Sequence, residues 1–280
     1  MSPEFESSAV RLRRAALTHG LAGQAAQAGE VVPRAKQFLQ EAREIQLAAH
    51  RSGVPGGEVA QLRSDAVDIV IDALFLRAGP AAAELALVAT GGYGRAELCP
   101  LSDIDLLVLV PEHTPATQAL VESILYPLWD IGLKVGQSVR TVQECADYAK
   151  EDLHLRVALL ETRLLCGARP LYAQIEARVS AMLSGDAWRP LARSIVESQR
   201  KRREKAGGSA YLQEPDLKNG VGALRDVQGC LWLARLHSGA AGPEGLRLSG
   251  LISERDCEKF VRARETLLRI RHELHFQSTR

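Results

Sequence analysis

The chain has 280 residues, of which 46% are apolar and 25% are charged, and its formal net charge is +1. These values are typical of a soluble globular protein with one large or two smaller domains, and the charge gives no reason to expect binding to nucleic acid or a membrane. No apolar run approaches the roughly 20 residues that a membrane span needs. Five dispersed cysteines without a CxxC pair indicate a reducing cytoplasm.

The N-terminal third of the chain is predicted to be helical after a loose start. Residues 1–32 are rich in Ala, Gly and Ser and carry no firm periodicity, so we expect them to be loosely ordered. Between Pro33 and Gly79, apolar residues recur at helical spacing in two stretches separated by a Pro-Gly-Gly turn. We expect two helices there, which lead directly into a strand and cover a sheet.

Three strands are predicted in the middle of the chain. Apolar runs at 85–90 and 106–110 are bounded by turn-forming residues, and a weaker alternation covers 132–142 after a helix at about 116–131. Beyond these, the patterns predict helices and no further strand; the helices lie at about 142–149, 153–165, 171–183, 195–205, 224–236 and 253–276. The predicted organisation is an α/β domain at 33–143 and a helical domain at 144–280, which we expect to be truncated because its last helix runs almost to the terminus.

The first two predicted strands are joined by the sequence GGYGRAELCPLSDID, at 91–105. Asp103 and Asp105 are two residues apart on an extended segment, so their side chains project from the same face. Two adjacent carboxylates repel each other unless a cation lies between them, and oxygen ligands suit Mg²⁺. The glycines would let backbone N–H groups approach a phosphate. The segment therefore predicts a metal and nucleotide site, whereas a simple strand-end turn would not account for the glycines, Arg95 and Ser102.

A second polar segment, EPDLKNGVGALRD at 214–226, precedes a predicted helix. Such a loop can offer backbone donors and a positive dipole end to an anion, together with the cations Lys218 and Arg225. It can equally be a surface connection, and composition does not decide between the two. The basic cluster at 200–205 is interpreted as a solvated helix end, with phosphate contact as the less favoured alternative. His272 and His275 have no further ligand nearby and are expected to be structural.

The run GGYGRAELCPLSDIDLLVL resembles the signature of the nucleotidyltransferase superfamily, a strand and a Gly-Gly turn followed by an Asp-x-Asp strand. Four further segments resemble, more narrowly, the family of PII uridylyltransferases/uridylyl-removing enzymes: LWDIGLKVGQSVRTVQEC, LLETRLLCG, YLQEPDLKNGVGALRDVQGCLWLAR and LLRIRHELHFQSTR. The resemblance runs from about residue 35 to the end. It implies an α/β (α+β) nucleotidyltransferase fold like that of DNA polymerase β, with a small mixed sheet, flanking helices and an all-helical C-terminal domain.

The resemblance also implies roles for residues of the 91–105 segment. Gly91, Gly92 and Ser102 would hold the triphosphate, and Asp103 and Asp105 would hold Mg²⁺. The implied reaction is transfer of UMP from UTP to a tyrosine hydroxyl of a PII signal-transduction protein, in cytoplasmic nitrogen regulation. The loop at 214–226 would return toward this active site.

Further nucleotide contacts are expected from Arg95, as a counter-charge in the Gly-rich turn, and from Lys218 and Arg225. Many nucleotidyltransferases supply a third metal-binding carboxylate from the next strand, but 133–142 contains no acid. Three acidic residues elsewhere are candidates for that ligand: Asp152, Glu161 and Asp226. The family usually has Gly-Gly before Leu-Arg-Asp, so Ala223 would strain the loop if it needed a positive φ.

The family's domains for removing uridylyl groups and for sensing glutamine have no counterpart in this sequence. We therefore expect neither activity. Two alternatives to PII uridylylation stay open. One is a nucleotidyltransferase with a different protein or small-molecule acceptor, and the other is a non-catalytic regulatory fragment that binds nucleotide.

Overall fold

The computed structural model describes residues 7–23, 30–209 and 213–278. Its strands are β1 (Ala86–Ala89), β2 (Ile104–Leu109), β3 (Val135–Arg140) and β4 (Arg163–Gly167). Its helices are α1 (Ser8–Thr18), α2 (Val31–Arg51), α3 (Gly56–Arg77), α4 (Gly91–Gly94), α5 (Pro115–Ile131), α6 (Val142–Glu151), α7 (Leu153–Leu160), α8 (Arg169–Leu183), α9 (Trp188–Lys205), α10 (Leu224–Ser238), α11 (Gly242–Leu248) and α12 (Glu254–Gln277), with a 3₁₀ helix at Pro80–Glu84.

The strands form one mixed sheet in the order β3-β2-β1-β4. β1 is antiparallel to β2 and β4, whereas β2 and β3 are parallel because α5 carries the chain back to the other end of the sheet. This small mixed sheet with flanking helices and a helical C-terminal region confirms the predicted nucleotidyltransferase fold. Among the described helices, none combines the length and the apolar character needed to span a bilayer.

Both faces of the sheet are covered, which explains why β1 is a continuous apolar run. Leu87 and Ala89 face a core shared with α2, α3 and α5. Ala86 and Val88 face the opposite core, which is shared with α8, α9 and α10. The sheet is therefore the middle layer, and the C-terminal helices pack directly on it.

The prediction of a loosely ordered start is wrong for residues 8–18, which form α1. The hydroxyl of Ser7 caps this helix by accepting the N–H of Val10 at 3.3 Å. Leu12, Ala15 and Ala16 are buried in the core beside α2. The small side chains gave a weak periodic signal, but they allow a close approach between helices. Residues 1–6 and 24–29 of the same prediction lie outside the described residues.

The prediction of no strand after residue 142 is also wrong, because β4 occupies 163–167. The predicted helix at 153–165 ends at Leu160 as α7, and the chain then pairs with β1. Gly167, at φ +95°, approaches the carbonyl of Leu85 so closely that a Cβ would overlap it. Pairing with a distant strand has overridden the local helical pattern. The division at residue 143 stays a prediction, although the sheet takes its fourth strand from the far side of it.

Candidate active site

The Gly-rich turn between β1 and β2 is shaped by close backbone contacts. Gly91 has a positive φ of +56°, and the N–H of Thr90 donates to the carbonyl of Asp105 at 3.0 Å, which ties the turn to β2. Gly94 lies against the backbone of Glu161, and a Cβ at this position would overlap the Glu161 carbonyl. The Gly-x-x-Gly spacing is therefore required by the fold of the turn itself.

A buried tyrosine anchors the same turn to α3 and β4. The hydroxyl of Tyr93 donates to Asp68 Oδ1 at 2.6 Å, and Arg163 Nη1 donates to Asp68 Oδ2 at 2.6 Å. Arg163 also donates to the Tyr93 carbonyl at 3.3 Å. Burial and the negative charge of Asp68 raise the pKa of Tyr93 well above its usual value, so the phenol stays a donor. These contacts hold the turn at the end of β1.

Asp103 and Asp105 lie side by side at the start of β2. Burial, followed by the charge of Asp103, raises the pKa of Asp105, while Lys218 opposes this shift from the loop. Two glycines leave room for the carboxylate of Asp105: a Cβ at Gly91 or Gly136 would lie 3.2 or 3.1 Å from its oxygens. The pair is thus an electrostatically strained carboxylate site with space around it.

All the nucleotide-site and metal-site residues predicted from the sequence line one cavity of about 480 Å³. They are Gly91, Gly92, Arg95, Ser102, Asp103, Asp105, Lys218 and Arg225. The structure therefore brings together the turn, the strand and the loop, which are up to 134 residues apart in the chain. We call this space the first cavity.

The first cavity also contains residues that sequence reasoning missed or interpreted otherwise. Lys134, just before β3, and Arg271 of α12 add two cations. His275, predicted to be structural, lies in the wall and its Nδ1 accepts the N–H of Leu101 at 3.1 Å. The spacing of Arg271 and His275 on one face of α12 was the available signal, but nothing local linked that face to the Asp-x-Asp strand.

Arg95 reaches the first cavity as predicted, but carboxylates already balance its charge. Its Nε donates to Glu97 at 2.8 Å and its Nη1 donates to Glu161 at 2.6 Å. The remaining oxygens of these two acids accept from Arg264 of α12 and from the indole of Trp232 in α10. Burial acts to lower the pKa of Arg95, but the charges of Glu161 and Glu97 outweigh this effect and raise it. This network joins the Gly-rich turn to the C-terminal helices.

The three candidates for a third metal ligand are all engaged elsewhere. The carboxylate of Asp152 caps the start of α7 by accepting backbone N–H groups. Asp226 binds two arginines of α9, and Glu161 binds Arg95 and Trp232. Within the described ranges, no group of three or more His, Cys, Asp or Glu side chains is arranged to hold a metal. Of the predicted metal ligands, Asp103 and Asp105 are therefore the two that are not engaged in this way.

The loop before α10 is held in place by the basic cluster at 200–205. Arg202 donates to the carbonyl of Asn219 and to the carboxylate of Asp226, and Arg203 Nε donates to Asp226 at 2.9 Å. The interpretation of the cluster as a solvated helix end is wrong for Arg202, whose side chain is largely buried, whereas Arg203 stays exposed. It also holds for Arg200 and Lys201, which pair at the surface with glutamates of the same helix.

The loop presents side chains to the first cavity, since its backbone donors are largely used within it. The N–H groups of Leu224 and Arg225 donate to loop carbonyls at 3.0 and 2.9 Å. Gly222 takes the positive φ, +74°, whereas Ala223 is extended at φ −87°, so the Gly-Ala sequence causes no strain. The anion-binding capacity predicted for this loop therefore rests on Lys218 and Arg225.

The mixed sheet with its flanking helices is that of a nucleotidyltransferase fold, and residues 77–165 match the family model described as a nucleotidyltransferase domain. Residues 191–280 match the model described as GlnD PII-uridylyltransferase. The chain belongs to the GlnD uridylyltransferase family. Both matched segments contribute to the first cavity.

Curated relatives of this family are similar along most of the chain. The bifunctional uridylyltransferase/uridylyl-removing enzyme of Cereibacter sphaeroides is 39% identical over 217 residues, which cover 77% of this chain and 23% of the relative. The enzymes of the same name from Caulobacter vibrioides and Phenylobacterium zucineum are 35% and 34% identical, with 96% and 99% of this chain covered and 30% and 31% of the relatives. The chain spans less than a third of the length of these relatives.

Proposed function

We propose that this chain transfers UMP from UTP to a tyrosine hydroxyl of a PII signal-transduction protein, with Mg²⁺ as cofactor. The observation that carries the proposal is the first cavity, in which two carboxylates, Asp103 and Asp105, face the cations Lys218 and Arg225. The names of the matched family and of the relatives, which specify uridylyl transfer, support the choice of nucleotide and acceptor.

The donor set fits Mg²⁺. This ion is commonly held by one or two carboxylates while waters and substrate phosphates complete its octahedral shell. Asp103 and Asp105 would hold it, and the space left by Gly91 and Gly136 allows further oxygen ligands to approach. Burial, followed by the charge of Asp103, raises the pKa of Asp105, and a bound cation would offset both effects. When bound, the metal would neutralise charge on the phosphates at the reacting end of UTP.

The triphosphate would lie against the cations of the first cavity. Lys134, Lys218, Arg225 and Arg271 reach it from β3, the loop and α12. Ser102 Oγ accepts the N–H of Cys99 at 3.1 Å, which holds this hydroxyl in the wall of the first cavity, where a phosphate oxygen would approach it. Displacement of pyrophosphate needs positioning and neutralised charge more than covalent chemistry from the protein, and these residues supply both.

The direct test is to incubate the chain with UTP labelled at the α-phosphate, Mg²⁺ and a PII protein. We expect label on PII, and none when the acceptor tyrosine is replaced by phenylalanine or when Mg²⁺ is chelated. Label on another protein or on a small molecule would instead indicate a nucleotidyltransferase with a different acceptor. UTP binding without turnover toward any acceptor would support the non-catalytic alternative and contradict the proposal.

A further inference from the structure

A second cavity, of about 340 Å³, adjoins the first between α7, α9 and α10. The two cavities share Gly91, Glu161 and Arg225 as lining residues, so they lie side by side and a ligand that occupied both would pass these residues. The second cavity has apolar walls, formed by Leu153, Val157, Ala158, Ile195 and Trp232. Polar side chains of His154, Ser198, Gln199 and Asn219 also line it. Apolar walls with a few polar groups are suited to a flat heterocycle with a hydrogen-bonding edge.

The amide of Gln199 has a defined orientation in this cavity. Its Oε1 accepts two hydrogen bonds from Arg202, from Nε at 3.2 Å and from Nη2 at 2.7 Å. A guanidinium only donates, so the amide oxygen must face Arg202. A Cβ on Gly229 of α10 would lie 3.0 Å from Gln199 Nε2, so the glycine leaves room for the amide. Gln199 can therefore offer N–H donors to a ligand, but its oxygen is already occupied.

We propose that the second cavity binds the uracil ring of UTP and that Gln199 selects uracil over cytosine. This inference rests on the proposed function, because it requires the triphosphate in the first cavity. The ribose would then lie at the junction beside Gly91. The ring position opposite the ribose bond is C4, which carries a carbonyl oxygen in uracil and an amino group in cytosine. Gln199 lines only the second cavity, where this end of the ring would lie.

The chemistry of the wall favours a base over the acceptor's tyrosine ring. A uracil edge presents two carbonyl acceptors and one N–H donor, which match several polar side chains, whereas a phenol presents one hydroxyl. The transferable hydroxyl must also lie at the α-phosphate near Asp103 and Asp105, which line the first cavity and not the second. An N–H donor facing the cytosine amino group would leave both groups unpaired, and such a mismatch is the means by which polar sites reject analogues.

Equilibrium binding to the intact chain tests the inference without any acceptor. Affinities for UTP, CTP and tripolyphosphate, each with Mg²⁺, are measured by calorimetry. We expect UTP to bind at least about tenfold more tightly than CTP. We also expect UTP to bind more tightly than tripolyphosphate, because the second cavity adds contacts. Equal affinities for UTP and CTP, or for UTP and tripolyphosphate, would overturn the inference, and an acceptor tyrosine would then be the better occupant.

Gln199→Glu sharpens the test because its carboxylate keeps a partner for Arg202 but presents an acceptor to the ligand. We expect the UTP-to-CTP preference to fall about tenfold or more, with tripolyphosphate affinity unchanged. Gln174→Glu, at an exposed site on α8, is the matched control and should leave the ratio as it is. An unchanged ratio in Gln199→Glu would contradict the role of Gln199. If this variant also loses tripolyphosphate binding, the UTP-to-CTP affinity ratio of Gln199→Met is compared with that of the wild type. An equal ratio in Gln199→Met would contradict the role of Gln199.

The outcomes separate this inference from the proposed function. Selective UTP binding without transfer to a PII protein would overturn uridylylation and leave the base cavity standing. Transfer that uses UTP and CTP equally well would overturn the base cavity and leave the proposed transfer to PII standing. Failure to bind any of the three ligands would overturn both.

Discussion

The two sides of the first cavity are built in different ways. On the strand side, Asp105 is fixed by backbone geometry, since its carbonyl accepts from the turn and its residue pairs with Gly136 across the sheet. On the loop side, a backbone hydrogen bond joins Arg225 to Lys218, but side-chain contacts attach the loop to α9, chiefly those that Arg202 makes with the loop and with the start of α10. The backbone thus fixes the position of the carboxylates, whereas the position of the cations depends on side-chain contacts to the loop.

This difference should separate mutations that remove the reaction from mutations that weaken nucleotide binding. A change to a carboxylate on the strand side should remove the reaction and leave the fold, because the backbone holds the position. A change to a tether on the loop side should move the cations and weaken nucleotide binding, while the carboxylates stay where they are.

The largest effect is expected from Asp105→Asn and Asp103→Asn. Each removes one charge at nearly constant shape, and we expect transfer to fall on the order of a thousandfold, as for other groups that stabilise charge in a transition state. Thermal stability should be unchanged or slightly higher, because burial and the charge of Asp103, which raise the pKa of Asp105, then act on one charge fewer. Transfer and the melting temperature are measured on the same preparations, and full transfer by both variants would remove the assignment.

Gly94→Ala tests the backbone frame on the strand side. The new Cβ would overlap the carbonyl of Glu161, so the turn must shift, and we expect a loss of about 3 kcal/mol or more in the free energy of unfolding. Gly92→Ala is the matched control, since its Cβ would meet no atom closer than 3.7 Å. Urea unfolding of both variants measures the difference. Equal stability of the two would show that the close approach at Gly94 is dispensable.

Arg202→Ala tests the tether on the loop side. Its removal leaves the buried carboxylate of Asp226 with one arginine and frees the Asn219 carbonyl, so we expect UTP affinity to fall about tenfold and stability by about 1–3 kcal/mol. Arg200→Ala removes an arginine whose partners are exposed on the same helix, and it should change neither quantity. A similar loss in both variants would indicate a general charge effect in place of a tether.

The smallest effect concerns the attachment of α12 through His272. Burial, followed by the charge of His50 and other cations, lowers the pKa of this imidazole to about 3, from an ordinary 6.5. The unfolded chain therefore binds a proton below pH 6.5 that the folded chain does not. Stability should be full above pH 6.5 and should fall below it, by up to about 1.4 kcal/mol per pH unit until the folded pKa is reached.

The measurement for α12 is the slope of unfolding free energy against pH between 4.5 and 6.5, in the wild type and in His272→Leu. The slope in the variant should be smaller by the contribution of about one proton. His237→Leu, at an exposed position on α10, provides the control. An unchanged slope in His272→Leu would show that this histidine is not responsible for it.

The strand side was predictable because its information is local. Alternation places Asp103 and Asp105 on one face, and the glycines define the turn, so the short segment 91–105 carries most of the geometry of the carboxylate pair. The structure confirmed the fold around them, a small mixed sheet with flanking helices. The roles proposed for these residues stay predictions until the variants are measured.

The rest depended on distant partners that a single sequence does not reveal. β4 is a strand because it pairs with β1, about 77 residues earlier, although its own residues continue a helical pattern. Arg95 was expected to face phosphate, yet Glu161 and Glu97 balance its charge. Arg202 looked like one member of a solvated basic cluster, but its side chain is largely buried and binds both Asp226 and the Asn219 carbonyl, a pair of contacts that the sequence does not reveal.

The network of Arg264, Glu97, Arg95 and Glu161 has a consequence for how this chain can be recombined. It joins the segment that matches the nucleotidyltransferase domain to the segment that matches GlnD PII-uridylyltransferase. Exchanging either segment for its counterpart from another nucleotidyltransferase would separate charged partners that are buried together, and would leave unpaired charges at the seam. The two segments are therefore expected to be inherited as a unit, and a working chimera would need both sides of this network from the same parent.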